Sequence, residues 1–160
     1  MKYVTYRAGD RGRVGRLDGA TVVDVGFEGD MTAFIEAGAP TGPERPVPDA
    51  GLLAPIRPRS LRDFLAFEGH LKNAFRNLGR EIPAEWYEVP AFYRSVGDTV
   101  IGPDVELPWP SYTRQLDHEL ELAAVIGRPC RDVSAAEALD YVFGFTIWND
   151  MSARDVQRRE

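Results

Sequence analysis

The sequence predicts an α+β fold that consists mostly of β-strands and begins with a small β-rich domain. Apolar and polar residues alternate through residues 1–26, in the segments KYVTYR, GRVGRLDG and ATVVDVG, with glycine-containing polar turns between them. A second alternating run, LDHELELAAVIG, covers residues 116–127. Only a few segments show the spacings of three and four residues that are typical of amphipathic helices.

The composition excludes several classes of protein. The chain has 160 residues, 44% of them hydrophobic, which is enough apolar material for a folded core. Its formal net charge is -6, and no basic stripe of the kind that follows a phosphate backbone is present, so nucleic acid is not an expected partner. No apolar run reaches about 18 residues and no signal-type segment is visible, so we expect a cytoplasmic protein without a membrane partner. The single cysteine, Cys130, excludes an internal disulfide.

The first 50 residues are predicted to form the small β-rich domain together with a linker. A short helix is expected at residues 31–37. The Pro- and Gly-rich segment GAPTGPERPVPDAG then predicts a linker, and we place the domain boundary near residue 50. Residues 51–160 are assigned to the second domain.

Three helices and one further strand are predicted in the second domain. Ser60 can cap a helix in LRDFLAFEGHLKNAFRNLGR, where apolar residues recur at helical spacing, and this helix should run for about four turns or more. Ser134 and Glu137 form a capping box that predicts a second helix, SAAEALDYV. The segment GFTIW predicts a short buried strand, and NDMSARDVQRRE predicts the third helix.

The alternating segment LDHELELAAVIG places two carboxylates side by side. Glu119 and Glu121 point the same way on a strand, whereas Leu120 and Leu122 point to the opposite face, which we expect to be core. Two adjacent carboxylates repel each other, and a divalent cation that prefers oxygen ligands, such as Mg²⁺, Ca²⁺ or Mn²⁺, removes that repulsion. The alternative is that both glutamates lie on the solvated face of an edge strand.

A further acidic residue is predicted where the strand GFTIW ends and a helix begins. On that helix Asp150, Arg154 and Gln157 share one face, which combines a metal ligand, a cation for a substrate carboxylate and a neutral hydrogen-bonding group. The alternative is that Asn149 or Asp150 caps the helix and Arg154 forms a surface ion pair.

Asp63 and His70 are seven residues apart, which places them on one stripe of the predicted helix after Ser60. An imidazole beside a metal site is a suitable general base for activating water. The alternative is that Asp63 interacts with the helix dipole and that His70 is a partly buried, hydrogen-bonded residue. The sequence contains no CxxC metal site, P-loop or G-x-S-x-G elbow, so a triad hydrolase is not expected.

Three motifs in the same order, RDFLAFEGH, LDHELELAAVIG and FTIWNDMSARDVQ, resemble the fumarylacetoacetate hydrolase family. The resemblance implies that Glu119, Glu121 and Asp150 bind a magnesium ion, with calcium or manganese as alternatives. It also implies that His70 is the catalytic histidine and that Asp63, seven residues before it, is a further metal-site aspartate. The matching motifs extend over about residues 60–160.

The resemblance carries further expectations for the site and the fold. Arg154 and Gln157 would contact the substrate or support the metal site, and the turn at Gly102 and Pro103 would line the site entrance. The implied fold is a mixed β-sandwich roll preceded by a small variable N-terminal domain. Members of the family usually assemble as homodimers, so a homodimer is the expected assembly.

The sequence departs from the family pattern in three respects. The family domain normally continues beyond N-D-x-S-A-R-D with a lysine and a Gly-Thr loop, so we expect a truncated catalytic domain, or a site completed by another chain. Relatives often pair the histidine with a glutamate one turn later, which is missing after His70. The candidate replacements are Glu68, Glu81 or a residue beyond the end of this sequence. Leu65 stands where the name-giving enzyme has a substrate-contacting tyrosine, so fumarylacetoacetate itself is not the expected substrate.

These observations predict an enzyme that cleaves a C–C bond of a 1,3-diketo acid, such as an acylpyruvate, by metal-dependent hydrolysis. The same metal site also suits decarboxylation of oxaloacetate, isomerisation of a hydroxymuconate and dehydration of a sugar acid, which are reactions of the same family. Two alternatives from other classes are an inactive binding or assembly half and a non-catalytic calcium-binding β module.

Overall fold

A computed structural model describes residues 1–159. The chain forms two compact units. The first unit contains residues 1–55 and the chain from residue 102 onward, and the second contains residues 56–101. Strands dominate over helices, which confirms the predicted α+β class with mostly β structure. Among the described residues, no helix is both long enough and apolar enough to cross a membrane.

The first unit begins with a four-stranded antiparallel sheet and one short helix. Their ranges are β1 (Tyr3–Ala8), β2 (Arg11–Asp18), β3 (Thr21–Asp24), α1 (Met31–Glu36) and β4 (Arg45–Val47). The strands lie side by side in sequence order. Gly9 and Gly19, with φ of 65° and 58°, form the turns of the predicted meander, because glycine adopts this left-handed conformation without steric cost.

Strand β4 lies inside the segment that the sequence predicted to be a linker. Its residue Pro46 faces Val23 of β3 in the antiparallel register. Proline is tolerated there because β4 is an edge strand of the sheet. The apparent linker therefore contributes to the N-terminal sheet.

The N-terminal sheet and α1 contain most of the fully buried apolar side chains. Phe34 is 0% exposed, and Val14 and Val25 are each 1% exposed. The ring of Tyr3 packs edge-on against Phe34 with 5.1 Å between the ring centroids. On its other side Tyr3 stacks on Phe143 at 5.8 Å, so β1 contacts the C-terminal part of the same unit.

One carboxylate, that of Asp24, is buried within this sheet. It accepts hydrogen bonds from Nε of Arg13 at 2.9 Å, from the Gly26 amide at 2.6 Å and from the Tyr6 hydroxyl. Burial favours the neutral acid, but these donors stabilise the carboxylate more strongly and lower the pKa of Asp24 from 3.8 to about 2. Asp24 is therefore a fully satisfied structural anion.

The second unit pairs two short strands and contains one α-helix of ten residues. Their ranges are β5 (Leu61–Phe64), α2 (Glu68–Asn77) and β6 (Phe92–Ser95). The predicted helix after Ser60 is wrong at its start, because β5 pairs with β6 and places Asp63 opposite Tyr93. Helical structure begins only after Phe67, whose backbone is extended. Residues 61–67 have a helical spacing of apolar residues, but residues 61–64 instead form a strand because they pair with residues 92–95.

The C-terminal part of the first unit is a long antiparallel hairpin followed by one helical turn. It comprises β7 (Leu116–Ile126), β8 (Val142–Ala153) and α3 (Arg154–Gln157). The predicted strand at 116–127 is confirmed. The predicted short strand GFTIW is much longer, and the third helix starts only at Arg154, because residues 149–153 pair with residues 116–120 of β7.

The second predicted helix of this region, SAAEALDYV, is wrong as an α-helix. Half of the capping box forms, because the Ser134 amide donates to the Glu137 carboxylate at 3.3 Å, and the Ser134 hydroxyl donates to the same carboxylate at 2.6 Å. Only a single 3₁₀ turn follows, at residues 138–141. Because β8 starts at Val142, no room remains for an α-helix between the cap and the strand.

One face of the hairpin differs from the prediction. Leu120 and Leu122, expected in the core, are 76% and 61% exposed. Ile147, which pairs with Leu122, is 75% exposed, and Phe145 on the same strand face is 58% exposed. The alternation was predicted correctly, but the apolar face is the more exposed one in the described residues.

Candidate metal centre

The acidic face of the β7–β8 hairpin carries the predicted metal ligands. Glu119 and Glu121 project from β7 to the same face because they are two residues apart. Asp150 lies directly opposite Glu119 on β8, and Trp148 lies opposite Glu121. Asp150 therefore reaches the acidic face through strand register, and the helix start predicted for this position is wrong.

The structure brings these three carboxylates together. Each of Glu119, Glu121 and Asp150 offers an oxygen atom, and these atoms lie within 4.8 Å of one another. All three residues are half-buried. Carboxylate oxygens held this close favour a cation between them, since an added positive charge offsets their mutual repulsion. Hard oxygen donors suit Mg²⁺, Ca²⁺ or Mn²⁺, so the donor set fits a divalent metal of this class.

Arg154 lies beside this cluster at the first position of α3. Its Nε atom is 3.0 Å from the Asp117 carboxylate, and its Nη1 atom forms an ion pair with Glu119. Nη1 also donates a hydrogen bond to the side-chain oxygen of Gln157 at 3.0 Å. Arg154 and Gln157 thus meet as predicted from their spacing, but they meet on α3, without Asp150 on the same helix.

The protonation of this ion-pair network follows from its contacts. Partial burial alone would lower the pKa of Arg154, but the hydrogen bond to Asp117 and the charge of Glu119 outweigh burial and raise it. The hydrogen bond from Arg154 in turn lowers the pKa of Asp117. Both groups are therefore charged at neutral pH.

Asp117 is a site residue that the sequence reasoning missed. It stands two residues before Glu119 and so continues the row of acids along the same face of β7. The signal was present in the sequence, because D-x-E-x-E has the same period as E-x-E.

The segment before β7 fixes the position of α3. The Arg154 amide donates to the carbonyl of Gln115 at 2.8 Å. Asp155 accepts hydrogen bonds from the Thr113 hydroxyl and, at 3.1 Å, from the Arg114 amide. Thr113 is only 3% exposed, so this attachment is well packed. These bonds hold the backbone from which the Arg154 side chain projects.

Asp63 and His70 belong to the second unit. Asp63 is half-buried on β5 of the second unit, and His70 is exposed on α2. Because Asp63 is on a strand, the helical stripe expected to join it to His70 does not form. The roles of both residues, and of the turn at Gly102 and Pro103, stay predictions.

The carboxylate partner of His70 also stays open. Glu68, one of the candidates, forms an ion pair with Lys72 at 2.9 Å and accepts a hydrogen bond from the Tyr87 hydroxyl at 2.8 Å. These contacts lower the pKa of Glu68, first through the hydrogen bond from Lys72. Glu68 is thus engaged within its own unit by groups other than the imidazole.

Two protein-family models match this chain, one in each part of the sequence. The family model described as fumarylacetoacetate (FAA) hydrolase, C-terminal, matches residues 60–160, well over half of the sequence. The chain belongs to the fumarylacetoacetate hydrolase family. A model described as Rv2993c-like, N-terminal, matches residues 1–55. The family predicted from the three motifs is therefore confirmed.

Individual relatives of the fumarylacetoacetate hydrolase family show how much of a member this chain spans. Protein Rv2993c of Mycobacterium tuberculosis is 33% identical over 159 residues, which are 93% of this chain and 57% of that protein. The bovine mitochondrial oxaloacetate tautomerase FAHD1 is 62% identical over 48 residues, 30% of this chain and 22% of the relative. The chain thus spans less than two thirds of the length of these relatives.

A solved structure supports the fold of this fumarylacetoacetate hydrolase family member. The fumarylacetoacetate hydrolase of psychrophilic Exiguobacterium antarcticum matches with a TM-score of 0.78 and 26% sequence identity. The match covers 99% of this chain and 58% of the other. It confirms the fold type that the sequence motifs implied.

Proposed function

We propose that this protein is a divalent-metal-dependent enzyme that hydrolyses a C–C bond of a 1,3-diketo acid, with an acylpyruvate as the expected substrate type. The observation that carries the proposal is the convergence of the Glu119, Glu121 and Asp150 carboxylates within 4.8 Å on one face of the β7–β8 hairpin. Membership of the fumarylacetoacetate hydrolase family supports an enzymatic role. A cytoplasmic location is proposed with it.

The proposed cofactor is Mg²⁺, with Ca²⁺ and Mn²⁺ as alternatives, because the cluster offers only carboxylate oxygens. Glu119, Glu121 and Asp150 would hold the ion, and Asp63 is proposed as a further ligand. A metal bound there would act as a Lewis acid that stabilises the enolate released when the C–C bond breaks.

The protein's own groups have separate proposed tasks. An imidazole nitrogen of His70 would take a proton from the attacking water molecule. Arg154, supported by Gln157, would bind the substrate carboxylate through its guanidinium group. Water adds to the acyl carbonyl, the bond between that carbon and C3 of the pyruvate portion breaks, and protonation of the enolate completes pyruvate. The products are a carboxylic acid and pyruvate, so atoms balance without a further reactant.

A second candidate is keto–enol conversion of a keto acid such as oxaloacetate. The identity of 62% over 48 residues with the oxaloacetate tautomerase FAHD1 favours it. Decarboxylation of oxaloacetate, isomerisation of a hydroxymuconate and dehydration of a sugar acid use the same enolate chemistry and remain further alternatives. Product analysis separates the candidates, because only the hydrolase releases a carboxylic acid together with pyruvate.

The proposal is tested by calorimetric titration of the 160-residue chain with Mg²⁺ or Mn²⁺. Glu119→Ala and Asp150→Ala should each weaken binding by on the order of 100-fold or more, because each removes a direct ligand. Glu137→Ala is the matched control, since Glu137 is an exposed carboxylate bound to Ser134 in the same unit. Turnover of an acylpyruvate that disappears in His70→Ala would support the proposed base. A folded wild-type chain that binds no metal would contradict the proposal.

We also propose that the protein forms a homodimer. The exposed Leu120, Leu122 and Ile147 side chains support it, because a contiguous apolar sheet face is usually covered by another surface. Light scattering across a concentration series distinguishes the dimer from a monomer. A monomer without turnover would support the alternative that the chain is an inactive binding or assembly half.

A further inference from the structure

Arg154 holds a carboxylate that a metal ion would also need. We propose that Asp117 is a positioning residue that retains Arg154 when a divalent cation takes Glu119, so that the guanidinium stays at the edge of the metal site without blocking it. This inference rests on the proposed metal-binding role of Glu119. It adds Asp117 to that site and states which contact of Arg154 is kept when a metal ion binds Glu119.

The geometry separates the two carboxylates that Arg154 contacts. Asp117 and Glu119 lie two residues apart on the same face of β7, which corresponds to about 7 Å along a strand. Asp117 accepts from Nε of Arg154 at 3.0 Å, whereas Glu119 pairs with Nη1. The two contacts use different nitrogen atoms of one planar group, so Glu119 can be released while the bond to Asp117 is kept.

The charges make Arg154 and the metal ion competitors for Glu119. Both are cations, and Glu119 cannot neutralise both at full strength. With Asp117 present, Arg154 retains an anionic partner after the metal displaces it from Glu119. Without Asp117, the displaced guanidinium loses an ion-pair partner, and the metal must compete against a more strongly retained contact between Arg154 and Glu119.

The backbone attachments of α3 keep Arg154 close to both carboxylates. The Arg154 amide is bonded to Gln115 and the following Asp155 is bonded to Thr113, so the helix start cannot easily move away. Gln157 also accepts from Nη1 at 3.0 Å and offers that nitrogen a neutral partner once Glu119 is released. Nε and Nη1 of Arg154 therefore each keep a partner whether or not Glu119 is released.

The test is a double-mutant cycle read by Mn²⁺ affinity, measured by calorimetry and by the free Mn²⁺ signal in electron paramagnetic resonance. Arg154→Gln should tighten binding, because it removes the competing cation. Asp117→Asn should weaken binding about threefold to fivefold in the wild-type background, the size expected for a partly exposed ion pair. In the Arg154→Gln background the same change should have almost no effect, and Asp117→Glu should restore affinity.

One result of the cycle would overturn the inference and leave the metal site intact. If Asp117→Asn weakens Mn²⁺ binding equally with and without Arg154, then Asp117 acts only through its own charge on the ion. Asparagine has nearly the same shape as aspartate, so circular dichroism of each variant serves as the check that the hairpin is folded.

A second readout does not depend on metal affinity. In ¹⁵N-labelled protein the Nε–H proton of Arg154 should exchange slowly with water because it is bonded to Asp117, and Asp117→Asn should remove this protection. Adding Mg²⁺ should leave the protection in place. Loss of protection on Mg²⁺ binding would refute the role inferred for Asp117 and leave the proposed metal site unaffected. A protected Nε–H in a chain that binds no metal would instead contradict the proposed function. It would also remove the competition between Arg154 and a metal ion for Glu119.

Discussion

The N-terminal sheet and the β7–β8 hairpin both carry carboxylates on strands, but they stabilise them in different ways. Asp24 is 1% exposed and is surrounded by donors from Arg13, Tyr6 and Gly26. On the hairpin, the carboxylates of Glu119, Glu121 and Asp150 are half-buried and lie close to one another. One region has a single acid with several donors, and the other has several acids in one place.

This difference separates a structural anion from a candidate binding site. Donors of the protein itself satisfy Asp24, so its carboxylate stabilises the folded state and offers nothing to a ligand. Clustered carboxylates repel one another, and a cation that binds between them offsets this repulsion. The same side-chain chemistry thus has opposite consequences, which can be tested by changing one region and measuring the other.

The largest effect is expected from Asp24→Ala. Removal of this carboxylate leaves Arg13 and the Tyr6 hydroxyl without their buried partner, which should lower the free energy of unfolding by about 3–5 kcal/mol. Urea denaturation followed by circular dichroism measures the loss. Under conditions in which the variant is folded, its Mn²⁺ affinity should equal that of the wild type. A change in affinity would show that the two regions are not independent.

A somewhat smaller effect is expected on acidification. The pKa of Asp24 is lowered from 3.8 to about 2, so its contribution is fully present above about pH 4 and is lost as the pH falls towards 2. The shift corresponds to about 2 kcal/mol. The difference in unfolding free energy between the wild type and Asp24→Asn should therefore shrink between pH 4 and pH 2. A difference that stays constant over this range would mean that the Asp24 carboxylate is not specifically stabilised in the folded state.

The smallest effect is expected from Glu137→Ala. Glu137 is bonded to the Ser134 hydroxyl at 2.6 Å, a contact as short as those of Asp24, but it is exposed. Water replaces such a contact readily, so the urea midpoint should not change measurably. A clear loss of stability would show that hydrogen-bond geometry, more than burial, decides the value of a carboxylate in this protein.

The strands that the sequence predicted well are those with long regular alternation. Strand β7 alternates acids and leucines over residues 119–122, and the segments of the N-terminal meander are separated by glycine turns. The two wrong helix starts share one cause. Ser60 and Asn149 are good local caps, but the segments that follow them pair with strands distant in sequence, and local propensity does not register such partners.

The candidate site was predicted in part for the same reasons. Strand period placed Glu119 and Glu121 together, and the family motifs added Asp150, whereas the register that puts Asp150 opposite Glu119 was visible only in the structure. Burial was the least predictable property. Alternation shows that Leu120 and Leu122 share a face, but it does not show whether anything covers that face.

The hairpin has a further consequence for assembly. In the part of the chain that the structure describes, β7 and β8 form a sheet of only two strands, so each has an outer edge whose backbone groups are not used by the ladder. Another strand can add at such an edge through main-chain hydrogen bonds. Growth of this kind proceeds sideways in the plane of the sheet, whereas the acids project out of that plane. Lateral extension of the sheet can therefore occur without altering the register that sets Glu119 against Asp150.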